Sequence, residues 1–289
     1  MAQTQTKPFA RATAGTAPAG RKSQWTAKKV KGEGVARIVH AYALKDDEIQ
    51  VRVISDVHAG AEACDHNLFE RDVAWALERR NRYLLTGGDL LDLACKSSVG
   101  DTFSQTMNAS GQFRYMAQTL RPVAAAGRLV GMVGGNHEDR IYKDSGFDVT
   151  GMLGDFLEVP TGDELFVLFH VCPKDSRQTN EYLLYLRHGH GGGGTMGAKA
   201  NAATRGGLLI PECDVFCSGH THATLSAGDC YTTANRTTGF IETRERRFVA
   251  TGTYLGREPY SVKKGFPPAL KGSPVITLGG DRRFVSVSF

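Results

Sequence analysis

Short apolar runs alternate with helix-like patterns through the first half of the chain. Apolar runs of four to eight residues between turn residues are typical of strands, whereas apolar residues three and four positions apart are typical of amphipathic helices. The pattern therefore predicts an alternation of strands and helices. The predicted strands are 35–44, 49–55, 83–85 and 129–133, and the predicted helices are 67–80, 112–125 and 147–157.

Turn-forming and helix-breaking residues refine these elements. The polar segment 45–48 predicts a hairpin that joins the first two strands. Pro122 is expected to interrupt or end the second helix, because proline lacks the backbone N–H that a helix interior uses.

Strands dominate the second half of the chain. They are predicted at 165–171, 182–186 and 215–216 and in several runs between 223 and 289, with a hairpin connection at 173–180 and one short helix at 197–204. An alternating first half followed by a strand-rich second half favours a single α/β domain. We therefore predict two sheets that face each other, with helices on the outside.

Residues 1–33 break this pattern, because they are rich in Thr, Ala, Gly, Lys and Gln and hold few large apolar side chains. Such a composition cannot bury enough apolar surface to offset the entropy of ordering, which predicts a disordered basic tail before a folded domain at 34–289. The tail accounts for the net charge of +5. A solvated tail, a nucleic-acid-binding arm and an organelle transit peptide all fit it. The near-neutral remainder gives no electrostatic case for a DNA-binding surface.

The chain shows no signal for a membrane or for export. No run reaches the roughly 18 apolar residues that cross a bilayer, and the N-terminus lacks the apolar core of a secretory signal. The six cysteines are scattered without a close Cys-x-x-Cys pair. We therefore expect reduced thiols in a cytoplasmic protein, or in the host cytoplasm if a phage encodes it.

Five polar motifs each follow a short apolar run. They are Asp56-Val57-His58, Gly88-Asp89-Leu90-Leu91-Asp92, Gly135-Asn136-His137-Glu138, His188-Gly189-His190 and Gly219-His220-Thr221-His222. In α/β sheets the functional crevice lies outside the carboxyl ends of the strands, so all five could converge there. Carboxylates, imidazoles and one amide oxygen suit Mn²⁺, Fe or Zn²⁺ rather than Ca²⁺, and the set differs from a thiolate-rich structural site.

Each motif alone has a plainer interpretation. An Asp-x-His pair is often a surface or cap feature, and Gly-Asp or Gly-Asn-His is often a turn or a helix cap. Five such motifs in succession, each at a predicted strand end, favour a shared metal site instead.

The motifs, in order, resemble the DxH, GDxxD, GNH[DE], H and GHxH signature of the calcineurin-like metallophosphoesterase superfamily. The resemblance covers the chain from Asp56 to His222. It implies a four-layer αββα sandwich with two mixed β-sheets between helices. It also implies two divalent metal ions, with Mn as the expectation and Fe or Zn as alternatives.

The same resemblance implies a role for each motif residue. The first metal would take three ligands: Asp56, His58 and His222. The second would take Asn136, His188 and His220, with Asp89 bridging the two. Two cations about 3.5–4 Å apart can clamp a phosphate and acidify a bridging water into a hydroxide nucleophile. His137 would donate a proton to the leaving oxygen, and Asp92 would orient the His137 ring.

Several neighbouring residues carry open alternatives. His188 is preferred over His190 as the ligand because it directly follows the predicted strand, which leaves His190 as a substrate-facing group or a packed loop residue. Asn136 and Arg140 are further candidates for substrate binding, although Arg140 could equally form a structural salt bridge. The glycine run 191–194 could approach phosphate through its backbone or form a flexible loop.

The residues after Asp92 bear on the substrate. Phosphoprotein phosphatases of this superfamily typically carry Arg-Gly there, whereas this chain has Leu93-Ala94, which counts against that class. His58 and His137 together fit a diester with a poor alkoxide leaving group. We therefore predict a phosphodiesterase that acts on small or cyclic nucleotide-type phosphodiesters. The alternatives are a DNA-repair-type exonuclease acting on a nucleic-acid end, a phosphomonoesterase, and a non-catalytic scaffold, which the complete ligand set disfavours.

Overall fold

The computed structural model describes residues 25–27, 38–95, 98, 104–174, 176, 178–208, 210–257, 259–263, 265 and 267–289. The predicted disordered tail at 1–33 lies outside these residues except for Trp25–Ala27, which form strand β1. The prediction contained no strand at that position. Strand β1 pairs antiparallel with strand β2 (Ile38–Leu44).

The first half alternates strands and helices, as the pattern predicted. Its elements after β2 are β3 (Glu48–Ile54), α1 (His66–Glu78), β4 (Arg82–Gly87), α2 (Ala109–Ala125), β5 (Leu129–Val133), α3 (Asn136–Ser145) and α4 (Val149–Leu157). The second half is richer in strands. It contains β6 (Thr161–Gly162), β7 (Glu164–Cys172), β8 (Asn180–Arg187), α5 (Met196–Thr204), β9 (Val215–Ser218), β10 (Thr224–Asn235), β11 (Phe240–Thr251), α6 (Pro259–Lys263), β12 (Val275–Gly279) and β13 (Val285–Ser288).

The described strands form two mixed sheets. One has the order β1-β2-β7-β8-β9-β11-β10 and the other β13-β12-β3-β4-β5-β6. The pairs β3–β4, β4–β5 and β5–β6 are parallel, whereas β7–β8, β10–β11 and β12–β3 are antiparallel. Helices α1, α2 and α4 cover the outer face of the six-stranded sheet, and α5 packs against β9 and β11. The predicted αββα sandwich is confirmed.

In the six-stranded sheet, strands β4 and β5 are buried on both faces, and β3 is buried on both faces at its carboxyl end. In β3, Val51 and Val53 point into the core between the two sheets, whereas Ile54 joins the core beneath the helices. In β4, Leu85 lies in the core between the two sheets, and Leu84 lies in the core beneath the helices. A parallel strand covered on both faces reads as a continuous apolar run rather than an alternating one. That is why these short strands are visible in the sequence.

Three elements of the structure differ from the prediction. The hairpin at 45–48 is wrong, because β2 and β3 lie in different sheets and the turn carries the chain from one sheet to the other. Helix α2 continues through Pro122 to Ala125. Helix α3 was not predicted, because its ten residues are mostly polar and its first turn was interpreted as a ligand loop. The hairpin at 173–180 is confirmed by the antiparallel pairing of β7 and β8.

The sequence also led to expectations of reduced cysteines and of no membrane-spanning segment. All six cysteines are free, with Cys213 and Cys217 buried. Among the helices that the structure describes, none combines the length and hydropathy that crossing a membrane requires.

Candidate metal centre

The five motifs lie at one end of the two sheets. Asp56 and Asp89 follow β3 and β4, Asn136 opens α3 directly after β5, and His188 and His220 follow β8 and β9. Hydrogen bonds from backbone N–H groups join adjacent loops. The N–H of Asp56 donates to the carbonyl of Gly88 at 3.0 Å, and the N–H of His220 donates to the Asp56 carboxylate at 3.0 Å. The carboxyl ends of strands from both sheets therefore build one site.

A first group of potential ligands contains Asp56, His58 and His222. The His222 Nε2 atom lies 3.3 Å from Asp56 Oδ1 and 3.3 Å from His58 Nε2. Asp56 is fully buried, and the His222 side chain is partly exposed. The three side chains predicted to hold one metal are therefore brought together.

A second group contains Asp89, His188 and His220. The His188 Nε2 atom lies 3.2 Å from Asp89 Oδ2 and 3.2 Å from Asn136 Oδ1. The Asn136 Oδ1 atom is also 2.7 Å from His220 Nδ1. The Nδ1 atom of His188 is 2.8 Å from the carbonyl of Gly87, so the ring donates there and turns its Nε2 atom toward the group.

Asp89 lies between the two groups. Its Oδ1 atom accepts a hydrogen bond from the backbone N–H of His137 at 2.9 Å, which fixes the carboxylate. Its Oδ2 atom is 3.2 Å from His188 Nε2 and 4.0 Å from His58 Nε2. A single carboxylate oxygen thus faces ligands of both groups, as a bridging ligand requires.

The donor atoms fit divalent cations. Atoms that share a cation at about 2.0–2.2 Å lie about 3.0–3.5 Å from one another. The separations of 3.3 Å in the first group and the two of 3.2 Å around His188 in the second fall in that range, whereas Asn136 Oδ1 and His220 Nδ1 lie closer, at 2.7 Å, a hydrogen-bond distance. Two ring nitrogens that face each other, as in His58 and His222, are also a natural pair of ligands for one cation.

His137 and Asp92 lie beside these groups. The His137 Nδ1 atom is 2.6 Å from the backbone carbonyl of Asp92 but 3.4 Å from its carboxylate Oδ1. The backbone of Asp92 thus makes the shorter contact with the ring that its side chain was predicted to orient. The carboxylate is shared, because Oδ1 is 3.2 Å from His58 Nδ1 and Oδ2 accepts from Gln105 Nε2 at 2.6 Å.

The profile of the calcineurin-like phosphoesterase family matches residues 49–224, a range that contains all five motifs. The chain belongs to this family. The resemblance seen in the motifs is confirmed by this match over more than half of the sequence.

Solved structures with low sequence identity also align with this phosphoesterase. A conserved protein of Streptococcus pneumoniae TIGR4, described as a predicted phosphoesterase, is 12% identical over 84% of this chain and 88% of its own, with a TM-score of 0.37. The NAD nucleotidase of Haemophilus influenzae is 11% identical over 84% of this chain and 49% of its own, with a TM-score of 0.37. A double mutant of Vps29 from Entamoeba histolytica is 13% identical, with 83% and 98% covered and a TM-score of 0.35. Comparison with curated proteins finds no match.

The electrostatics of the phosphoesterase site favour bound positive charge. Burial alone would raise the pKa of Asp89, but the rings of His188, His137 and His58 hold that pKa well below its usual value. Burial likewise favours a neutral His188 ring, yet the Asp89 carboxylate outweighs it and raises the pKa of His188 to about 10. The pKa of His137 is raised to about 9, because its contacts with Asp92 and Asp89 outweigh burial. Without cations, the carboxylates draw protons onto the His188 and His137 rings instead.

Five of the predicted ligands occupy the left-handed backbone region. Their φ angles lie between 49° and 67°, and the residues are Asp56, His58, Asp89, His220 and His222. Aspartate and histidine enter this region more readily than most residues, but it still carries a cost. Such outliers cluster where the surrounding structure holds a functional geometry in place. Apart from the residue types, nothing in the sequence indicates these backbone conformations.

At two motif positions there is no room for a side chain, so only glycine fits. A Cβ atom on Gly135 would lie 2.2 Å from Asp89 Oδ1, and one on Gly219 would lie 2.6 Å from Asp56 Oδ2. Real Cβ atoms do not approach other atoms so closely. These glycines let the loops of β5 and β9 pass directly beside two predicted metal ligands.

Glu138 connects two of the motifs, although the sequence predicted no role for it. Its buried carboxylate accepts three backbone hydrogen bonds, from Asp89 and Gly135 at Oε2 and from Leu91 at Oε1, at 2.9–3.1 Å. The spacing of three residues from Gly135 is that of a capping box, which could have revealed the contact within α3. The link to Asp89 could not be read from the sequence.

A hydrogen-bond network that the sequence did not predict supports Asp92. Gln105 donates from Nε2 to the Asp92 carboxylate and accepts at Oε1 from Gln112 Nε2, at 2.6 and 2.7 Å. Gln112 is buried in α2 and accepts at its own Oε1 from the backbone N–H of Leu93 at 2.9 Å. Glutamines in a polar segment carry no spacing signal, so sequence reasoning could not single them out.

A cleft of about 1010 Å³ opens over both ligand groups. Asn136, His137 and Arg140 line it, together with the glycine run 191–194. The Arg140 Nη1 atom donates to Ser98 Oγ at 2.6 Å, and the predicted role of Arg140 in substrate binding stays a prediction. His190 is exposed and lies outside the lining of the cleft. Its predicted role in substrate binding stays a prediction.

Proposed function

We propose that this protein is a metal-dependent phosphodiesterase that hydrolyses small or cyclic nucleotide-type phosphodiesters. One observation carries the proposal. Two groups of potential ligands lie side by side, with Asp89 Oδ2 of the second group 4.0 Å from His58 Nε2 of the first, and a further imidazole, that of His137, lies beside them in the wall of the cleft. Family membership supports a phosphoester as the substrate.

The residues fit two divalent cations, for which Mn is our expectation and Fe or Zn the alternatives. Asp56, His58 and His222 would hold one cation. Asn136, His188 and His220 would hold the other, with Asp89 shared between them. Bound cations would polarise a phosphoryl oxygen and lower the pKa of a water ligand.

His137 would supply the proton that the leaving oxygen needs. Its Nδ1 atom donates to the Asp92 carbonyl at 2.6 Å, which leaves Nε2 as the atom that carries the transferable proton. Nε2 is 3.9 Å from Asp89 Oδ2, on the side of the ligand groups. Hydrolysis breaks the ester P–O bond and forms a P–O bond to water. The proton on His137 Nε2 passes to the leaving oxygen, and the ring is later reprotonated from solvent.

A diester fits this arrangement better than a phosphoanhydride or an activated ester. An alkoxide is a poor leaving group, so protonation by a positioned imidazole contributes most for such substrates. Because the backbone carbonyl of Asp92 makes the shorter contact with Nδ1, the His137 ring keeps its orientation without depending on one flexible carboxylate. A DNA-repair-type exonuclease and a phosphomonoesterase are the alternatives, and a cytoplasmic location remains a prediction.

Turnover of bis-p-nitrophenyl phosphate with added Mn²⁺ tests the proposal. We expect activity in the natural protein and its loss in Asp89→Ala, with no loss in the control Asp155→Ala, an exposed aspartate of α4. A dinucleotide and a nucleoside monophosphate then compare diesters with monoesters. A folded, metal-loaded protein that cleaves only monoesters would show that the diester preference is wrong.

A further inference from the structure

Four basic side chains line the same cleft as the ligand groups. Arg140 comes from α3, Lys199 from α5, and Arg257 and Lys263 from the segment that follows β11. We name these four residues the cationic rim. Residues from three separate parts of the chain thus bring positive charge to one opening, although the folded part of the chain is close to neutral overall. The charge is concentrated there rather than spread over the surface.

The cationic rim has little opposing charge within the cleft. Apart from the carboxylates of the ligand and His137 network, Glu62 is the one acidic residue among the described residues of the lining. The salt bridges among the described residues include no partner for Lys199, Arg257 or Lys263. Arg140 is held by the Ser98 hydroxyl and keeps its charge. Basic side chains without carboxylate partners are available to bind an anionic ligand.

The size and lining of the cleft indicate how a ligand would be recognised. A volume of about 1010 Å³ is at the upper end of ordinary ligand sites and exceeds what one phosphate group needs. The described lining residues include no Phe, Tyr or Trp. Proteins that bind single strands without sequence preference use aromatic side chains as stacking platforms. Recognition here therefore rests on charge rather than on stacked bases.

We propose that the cationic rim binds a second phosphate group of the substrate, so that the protein prefers phosphodiesters that carry a phosphate besides the scissile one. The inference rests on the proposed phosphodiesterase function and narrows it. The second phosphate could belong to a small nucleotide or to a nucleic-acid end, since both present the same chemistry. A cyclic nucleotide with a single phosphate would be a poor substrate.

A matched pair of substrates tests the preference. The dinucleotide ApA and its 5′-phosphorylated form pApA have the same scissile diester and differ by one terminal phosphate. We expect kcat/KM for pApA to exceed that for ApA by about tenfold, as a charge-assisted phosphate contact would give. The ratio should shrink as ionic strength rises, because exposed charges are screened. Equal kcat/KM values for the pair at low salt would overturn the proposal.

Substitutions in the cationic rim test whether its residues cause the preference for pApA over ApA. The triple change Lys199→Ala, Arg257→Ala and Lys263→Ala should bring the pApA/ApA ratio close to one, and each single change should lower it. Lys143→Ala is the control, because this exposed lysine lies on α3 beside Arg140 but outside the cleft lining. It should leave the ratio unchanged. A triple variant that folds normally and keeps the full ratio would show that the rim does not bind the second phosphate.

Binding to the metal-free protein separates this inference from the proposed function. Calorimetric titration of pApA in EDTA should give tighter binding than ApA, with the difference reduced in the triple variant. If the protein cleaves no diester but still binds pApA through the rim, the phosphodiesterase proposal is wrong while the anion site stands.

A 5′-phosphorylated single strand of 20 nucleotides distinguishes the two sources of the second phosphate, a small nucleotide and a nucleic-acid end. Much tighter binding than pApA indicates a nucleic-acid end, and similar binding indicates a small nucleotide. Equal binding of pApA and ApA would refute the claim that the cationic rim binds a second phosphate.

Discussion

Replacing Glu138 by alanine tests how two of the motif loops are held together. The Glu138 carboxylate is 5% exposed and accepts hydrogen bonds from the backbone N–H groups of Asp89, Gly135 and Leu91 at 2.9–3.1 Å. It therefore fixes the loop after β4 against the start of α3. Both Asp89 and Asn136, which are predicted metal ligands, lie directly beside these contacts.

The size of the effect follows from the three hydrogen bonds. A hydrogen bond to a charged acceptor contributes roughly 1.5–3 kcal/mol, and a buried donor left without a partner costs roughly 1–3 kcal/mol. Bringing the carboxylate out of water offsets part of the gain, and water can reach some of the freed N–H groups. We expect Glu138→Ala to lower the free energy of unfolding by about 3–5 kcal/mol. Glu138→Gln keeps the shape but presents an amide N–H₂ to one donor, so its loss should be smaller, about 1.5–3 kcal/mol.

Urea unfolding of the metal-free proteins, followed by circular dichroism, measures these losses. Asp139→Asn is the matched control, because Asp139 is an exposed carboxylate in the same turn of α3. Its unfolding free energy should stay within about 0.5 kcal/mol of the natural protein. Cation affinity gives a second measurement, since groups that orient metal ligands typically change affinity by about 10–100-fold. If Glu138→Ala unfolds within 1 kcal/mol of the natural protein, about the loss of one weak contact, the reasoning is refuted.

Four further predictions follow from the site. Mn²⁺ at about 100 times its Kd should stabilise the protein by about 2.7 kcal/mol in thermal unfolding, and Asp89→Asn should remove most of that gain. His220→Ala and His222→Ala should each deplete a different cation by elemental analysis, and full occupancy of both cations in either variant would contradict the two-group assignment. Gln105→Met should slow cleavage of a dinucleotide more than that of bis-p-nitrophenyl phosphate, whose leaving group needs no proton; equal slowing would argue against a positioning role. The pKa of His188 is raised to about 10 in the folded protein, so the stability it contributes is complete below about pH 6.5 and is lost as pH rises through about 10. Thermal midpoints of the metal-free protein should fall across that window.

Strands β3, β4 and β5 of the six-stranded sheet were the most predictable part of the fold. Strands buried on both faces appear as continuous apolar runs, and the strand at 129–133 was placed without error. The turn at 45–48 shows the limit of this reasoning. Polar turn residues indicate that the chain reverses, but they do not specify whether the next strand pairs with its predecessor or crosses to another sheet. The pairing of β2 with β7 depends on residues more than 100 positions away.

The candidate site was predictable in its residue types and less so in its contacts. Carboxylates and imidazoles at strand ends identify a metal site because few other arrangements place so many ligands at one edge. The residues that hold those ligands in place carry no such signal. Gln105 contacts Asp92 from a segment without periodicity, and the rim residues Lys199 and Arg257 meet only when α5 and the chain after β11 approach the same cleft. Their roles depend on the three-dimensional arrangement of distant segments.

The left-handed backbone of the ligand loops explains why the site depends on so many supporting contacts. At roughly 1 kcal/mol each, five such residues carry a cost of about 5 kcal/mol, which is comparable with the whole stability of a small protein. Glycine would remove the cost, but a ligand needs a side chain, so the loops cannot use it at these positions. They anchor one another instead. The N–H of Asp56 donates to Gly88, that of His58 donates to Asp89, and that of His220 donates to the Asp56 carboxylate. Because these three strained residues are held by neighbouring motifs, loosening one loop should disturb ligands on the others.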